Sequence, residues 1–254
     1  MNVARTIKNR INEFQETEPI FIDEMAKGFM DQKNVVYVAI NRLVYDGTIE
    51  NYAKGIYYKP KKTRFGKVGI DKRQLLQKKY LIRNDETIGY ITGPEIWNNW
   101  GLTTQMPNRT WIAQNIRQKK IDEKHNVVLI KAKGDIKKTN VKAFQYLDVI
   151  EQIDQIQDAK KEEIIEKLIK IFVDKFDVHD KIAVIEEVKK YQKRVKVLFG
   201  LIAERTNIRD EYYLEFLRYL KEDVQKGKKV IIDVNPRVFD NNRTWGNGYA
   251  TTFE

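Results

Sequence analysis

Residues 34–67 read NVVYVAINRLVYDGTIENYAKGIYYKPKKTRFGK. Val36, Ala39, Ile40, Leu43 and Val44 recur at three- and four-residue steps, the spacing of one buried helix stripe. Tyr37, Asn41 and Tyr45 then fall on the opposite face. Gly47, next to Asp46, supplies the left-handed residue that ends such a helix. Thr48–Asn51 and Gly55–Tyr58 are β-branched or aromatic runs around a turn, which predicts a hairpin. Helix, stop and hairpin form the second half of a winged helix-turn-helix, whose helix enters a DNA major groove while its hairpin straddles phosphates.

Charge agrees with this reading. Residues 51–79 hold ten Lys or Arg against one acid, Asp71, so nine of the chain's formal +11 lie in this segment. A basic strap beside Tyr52, Tyr57, Tyr58 and Phe65 is what contact with a phosphate backbone requires. A solvated linker between domains would also carry such a run; the helix and hairpin upstream favour DNA. Tyr37 and Asn41 are the candidates for base-edge contact, since Asn can bond an adenine edge bidentately. Lys33, Arg42, Lys54, Tyr57, Lys59, Lys61, Lys62 and Arg64 are the candidates for the phosphate backbone.

Working outward, Val3, Ile7, Ile11 and Phe14 give an amphipathic helix over 3–14, broken at Thr17-Glu18-Pro19. Asp23 is a natural N-cap for a short helix over 24–29. Downstream, 72–80 reads as a helix, 87–91 as a strand, and Gly93-Pro94-Glu95 opens a helix through Trp100. Strands follow at 110–113 and 127–130. From Asn140, expected to cap the next helix, apolar stripes repeat through 144–156, 161–172, 178–191, 195–202 and 212–220. Residues 230–234 suit a strand, and 235–254 lack periodicity, a loop unless Trp245 pins it. The expected fold is α+β: a winged helix-turn-helix over 1–68, then a second domain over 69–254, mixed α/β over 69–139 and mainly helical over 140–254.

Composition excludes several classes. The 254 residues include no cysteine, so neither disulfide nor thiolate chemistry is available, and the two histidines, His125 and His179, lie far apart. No apolar run approaches the ~20 residues of a membrane span, and no signal-peptide core is present, which predicts a cytoplasmic protein. There is no phosphate-binding Gly-rich loop and no Gly-x-Ser-x-Gly elbow. No catalytic residue, metal or cofactor is expected. Asp122-Glu123-Lys124, with Asp85 and Glu86 upstream, is a thin version of a nuclease's carboxylate cluster; in so charged a chain the triplet also suits a solvated surface. Gly101–Pro107 reads as a helix stop and turn in which Thr103, Thr104 and Gln105 bond backbone locally.

Two stretches resemble the abortive-infection E (AbiE) antitoxin family of bacterial type IV toxin–antitoxin systems. One runs from Leu43-Val44-Tyr45-Asp46-Gly47-Thr48-Ile49-Glu50 to Lys54-Gly55-Ile56-Tyr57-Tyr58-Lys59-Pro60-Lys61-Lys62-Thr63-Arg64-Phe65-Gly66. The other is Tyr90-Ile91-Thr92-Gly93 through Asn98, followed by Trp100-Gly101-Leu102-Thr103-Thr104-Gln105-Met106-Pro107-Asn108, the more specific of the two. The likeness covers about residues 1–150; beyond, it rests on a helical pattern that includes Arg194–Gly200. It implies a non-enzymatic antitoxin with a role in phage defence or plasmid maintenance. Its N-terminal winged helix would bind and repress its own promoter, on double-stranded operator DNA with inverted repeats. Its C-terminal region would counteract a neighbouring nucleotidyltransferase-like toxin. The alternatives are a metal-dependent defence nuclease with a DNA-binding winged helix, and a stand-alone transcriptional regulator.

Overall fold

A computed structural model describes residues 2–83, 85–228, 230–235 and 237–245, with the side chains of 242 and 243 omitted. The protein is α+β and divides into two compact units, Met1–Lys79 and Tyr80–Glu254.

In the first unit, helix α1 (Val3–Glu13) buries Val3, Ile7 and Ile11, and the Asn2 side chain caps it by accepting from the Arg5 amide. Strand β1 (Pro19–Phe21) follows, then the single turn α2 (Ile22–Met25) and a 3-10 turn (Met30–Gln32) into α3 (Lys33–Tyr45). The expected helix over 24–29 is therefore shorter and begins earlier. Asp23 lies inside its first turn, and no side chain caps it. Helix α3 buries Val36, Ala39, Ile40 and Leu43, as its periodicity requires. Gly47, at φ +75°, follows its C-cap Asp46. The Thr48 amide and hydroxyl both donate to Asp46 Oδ1 (2.9 and 2.5 Å), which delays the next strand to β2 (Glu50–Ala53).

Strand β3 (Ile56–Tyr58) sits between β1 and β2, antiparallel to both. The strand at 19–21 was not legible, because Thr17-Glu18-Pro19, whose proline is the strand's first residue, reads only as a helix break. The two-residue period of β3 sends Tyr57 to the core of α1 and α3, and Ile56 and Tyr58 to the other face. There Ile70 and Leu75 cover them. Leu75 belongs to α4 (Lys72–Leu76), reached through a second hairpin of β4 (Lys61–Thr63) and β5 (Gly66–Val68). This packing is why the first unit runs past residue 68 to Lys79.

The second unit opens with the small hairpin β6 (Ile82–Arg83) and β7 (Glu86–Thr87). Strands β8 (Gly89–Thr92), β9 (Thr110–Gln114), β10 (Lys120–Asp122) and β11 (Val127–Lys131) form a sheet in the order β10-β11-β9-β8, with only β9 and β11 parallel. Helix α5 (Pro94–Asn99) joins β8 to β9, with Pro94 in its first turn. Five longer helices follow: α6 (Val141–Glu151), α7 (Lys161–Asp174), α8 (Val178–Glu187), α9 (Lys193–Glu204) and α10 (Glu211–Gln225). One apolar cluster joins them to Tyr90, Ala113 and Trp97. Asn140 precedes α6 without capping it. Its Oδ1 accepts from the Lys137 amide, and its Nδ2 donates to Asp135 O and Glu187 Oε1.

Residues 230–234 carry no strand element; Ile232 and Val234 instead fill the helical core. The short α11 (Asn242–Trp245) ends the described chain, and Trp245 is buried against α9, so this part of the expected loop is pinned. The remainder of the tail, 246–254, lies outside the described residues. Among the described residues, no helix is long and apolar enough to cross a membrane.

Candidate nucleic-acid interface

Helix α3 fixes the first group of side chains. With one stripe committed to the core, its other faces present Lys33, Tyr37, Asn41 and Arg42 to solvent. Tyr37 is 48% exposed and Tyr45 95%. Val35 and Val38, which lie off the buried stripe, are exposed on the same helix. Exposed methyl groups are of the kind that contacts a thymine methyl where a helix does enter a major groove.

The second group lies on the two hairpins. Lys54 sits exposed in the turn between β2 and β3. Lys61, Lys62 and Arg64 lie on the β4–β5 hairpin, every residue of which is exposed. Among the described residues, no hydrogen bond or ion pair engages the side chains of Lys33, Tyr37, Asn41, Arg42, Lys54, Lys61, Lys62 or Arg64. Part of the basic strap is a β-ribbon, with Lys61 opposite Val68 and Lys62 opposite Lys67. Its signal was the Thr-Arg-Phe-Gly tetrad, a tight turn ending in glycine; Gly66 has φ +111°.

Two other basic residues of the run, Lys67 and Lys78, are held by partners within the unit. Lys67 donates to Glu50 Oε1 (2.5 Å), and Tyr58 Oη donates to Glu50 Oε2 (2.6 Å). The Lys67 bond, then the Tyr58 bond, holds the Glu50 carboxyl below its usual range, and the same carboxylate pushes the Tyr58 hydroxyl up to about 12. Lys78 donates to Glu18 Oε1 (2.9 Å) and Pro19 O (3.1 Å), with its Nζ 4.8 Å from the Phe14 ring centre.

Two of the expected DNA contacts are corrected. Tyr57 is only 7% exposed, packed in the core of α1 and α3. Burying a ring of this size is worth roughly 2 kcal/mol, more than an exposed polar contact returns. Lys59 donates to Asn12 O (2.9 Å) and Phe14 O (2.7 Å) at the C-terminal end of α1. An ammonium there satisfies carbonyls that the helix leaves without partners and meets the negative end of its dipole.

Two of the carboxylates considered for nuclease chemistry, Asp122 and Glu123, have partners within the unit. Asp122 accepts from Tyr80 Oη (2.5 Å) and meets His125 Nδ1 (2.8 Å). Glu123 forms a two-point pair with Arg109 (2.9 and 3.2 Å). Among the described residues, no group of three or more His, Asp or Glu side chains is placed to hold a metal ion.

The stretch Gly101–Pro107 is held from a distance. Thr103 Oγ1, the Thr104 amide and Thr104 Oγ1 all donate to the Asp158 carboxylate (2.5, 2.7 and 2.7 Å), which pulls that carboxyl down to about 2. Lys167 Nζ donates to Gly101 O (2.5 Å). Asp158 lies too far along the chain for any local pattern to mark it as the partner.

No protein-family model, curated protein or solved structure matches the chain.

Proposed function

We propose that this protein is a non-enzymatic, DNA-binding autorepressor and an antitoxin of the AbiE type, with DNA bound through its first unit. The single observation that carries DNA binding is the set of exposed Lys54, Lys61, Lys62 and Arg64, none with a carboxylate partner among the described residues. Protein surfaces usually intersperse both signs of charge; a segment without neutralising acids is suited to an external polyanion. The order α1-β1-α2-α3-β2-β3, with β3 central in its sheet, supports a winged-helix reading of the unit. Exposed Tyr37, Asn41 and Arg42 on α3 support major-groove entry. The antitoxin role rests on the two AbiE-like stretches. The second of them, fastened by Asp158, belongs to the other unit, which would counteract a nucleotidyltransferase-like toxin.

The test is a band shift with duplex DNA from upstream of the protein's own reading frame. Wild type should retard it, with an affinity that falls as salt rises; four phosphate contacts give a log–log slope of about −4. Lys61→Glu with Lys62→Glu in the full chain should abolish retention while thermal unfolding stays unchanged. Undiminished affinity in that variant would reduce the ribbon to a spacer. In cells, the same variant should lose repression but still rescue growth when the adjacent toxin is expressed. Failure of wild type to rescue would refute the antitoxin role.

A further inference from the structure

At the tip of the β4–β5 ribbon, the Phe65 ring is 101% exposed. A large aromatic side chain so placed adds nothing to the protein's own core. The turn that presents it is built. The Phe65 amide donates to Thr63 Oγ1 (3.2 Å), and Thr63 Oγ1 donates to Gly66 O (2.9 Å). The root of the ribbon is fixed by Lys67 on Glu50, itself held by Tyr58. The ribbon also keeps an internal conflict, because Lys62 lies directly across from Lys67. Like charges in that position destabilise a strand pair; Glu50 answers the charge of Lys67, and Lys62 is left without a carboxylate among the described residues.

We propose that Phe65 is an apolar wedge carried into duplex DNA by this ribbon. It enters between adjacent base pairs from the groove, while Lys61, Lys62 and Arg64 lie along the flanking phosphates. The inference rests on the DNA-binding reading and names the residue that would deform the duplex. Residues 61–68 contain no acid, which complements phosphate, but phosphate offers nothing to a phenyl ring. Stacked bases do, and aromatic or aliphatic wedges inserted at a base step kink the duplex. Flexible pyrimidine–purine steps are the cheapest to open, so the wedge gives sequence preference without base-edge hydrogen bonds.

The test uses the full chain and short duplexes from the same upstream DNA, end-labelled with a donor and an acceptor dye. Wild type should raise energy transfer as the ends approach. Phe65→Ala should bind about tenfold more weakly, the loss of one stacking contact, leave the salt slope unchanged and remove the rise in transfer. Phe65→Trp should restore both. If Phe65→Ala binds and bends like wild type while Lys61→Glu with Lys62→Glu binds more weakly, the wedge is wrong and the DNA-binding reading survives. If wild type does not bind duplex at all, both fail. Tighter, Phe65-dependent binding to the single strand would assign the ring to unpaired bases and overturn the wedge, as would Phe65-dependent binding to anionic vesicles without DNA binding.

Discussion

Asp148, on α6, is a carboxylate buried in the second unit. Tyr191 Oη donates to its Oδ1 (2.6 Å), and Tyr90 Oη and Thr92 Oγ1 donate to its Oδ2 (3.0 Å each). Burial raises its pKa from 3.8 to about 6, against the pull of these three hydroxyls. The folded protein therefore binds this proton more tightly than the unfolded chain does. The stabilisation it brings is complete below pH 3.8, declines as pH rises, and is gone above about 6. The span corresponds to on the order of 3 kcal/mol. Asp148→Asn cannot ionise, so the melting temperature of wild type should fall by several degrees relative to the variant between about pH 4 and pH 7; parallel curves would show that the carboxyl is not buried as described. Lys59 gives a second prediction at this scale. Lys59→Met should cost about 1–3 kcal/mol in urea unfolding, through the two carbonyls left at the end of α1, and leave duplex affinity within twofold. A large loss of affinity with unchanged stability would return Lys59 to the interface.

At the scale of elements, legibility followed the hydrophobic pattern. Helix α3 was readable because four buried residues repeat on one face. The β4–β5 ribbon was not: both of its faces are polar, so no alternation marks it, and charge alone looks the same in a strap or a strand. Strand β1 was missed because its three residues are ordered by pairing with β3. Helix α11 depends on packing in the same way. A Cβ added to Gly200 would come 2.1–2.5 Å from the Trp245 ring, and Trp245 Nε1 donates to Glu204 Oε2 (2.8 Å). The indole thus fits because residue 200 of α9 has no side chain. Trp245→Ala should destabilise the protein by about 3–5 kcal/mol, seen as a lower urea midpoint with little change in slope. Gly200→Val should do the same by expelling the ring, and a neutral Gly200→Val would deny the docking.

For the molecule as a whole, the useful quantity is where the charge lies. A net +11 spread evenly would give diffuse attraction to any polyanion. Here nine of those charges fall in residues 51–79, and Lys59, Lys67 and Lys78 are engaged by partners within the first unit. Salt dependence should therefore report a few discrete contacts. Neutralising Lys61 and Lys62 to Gln should weaken binding and flatten the salt slope by about 2, whereas neutralising Lys193, which donates to Lys226 O and Lys228 O (2.7 Å each), should leave it unchanged. An equal effect from both would mean a nonspecific field.

The sequence by itself determined the α+β class, the core stripe of α3, the turn at Gly47 and the local basic surplus, because periodicity and composition are properties of neighbouring residues. Only the tertiary structure decided which cations remain outward, that Tyr57 is core, that Asp158 fastens Thr103 and Thr104, and that Phe65 crowns a ribbon. Each of those outcomes depends on a partner distant in the chain or on whether another element covers the side chain, and no local spacing encodes either.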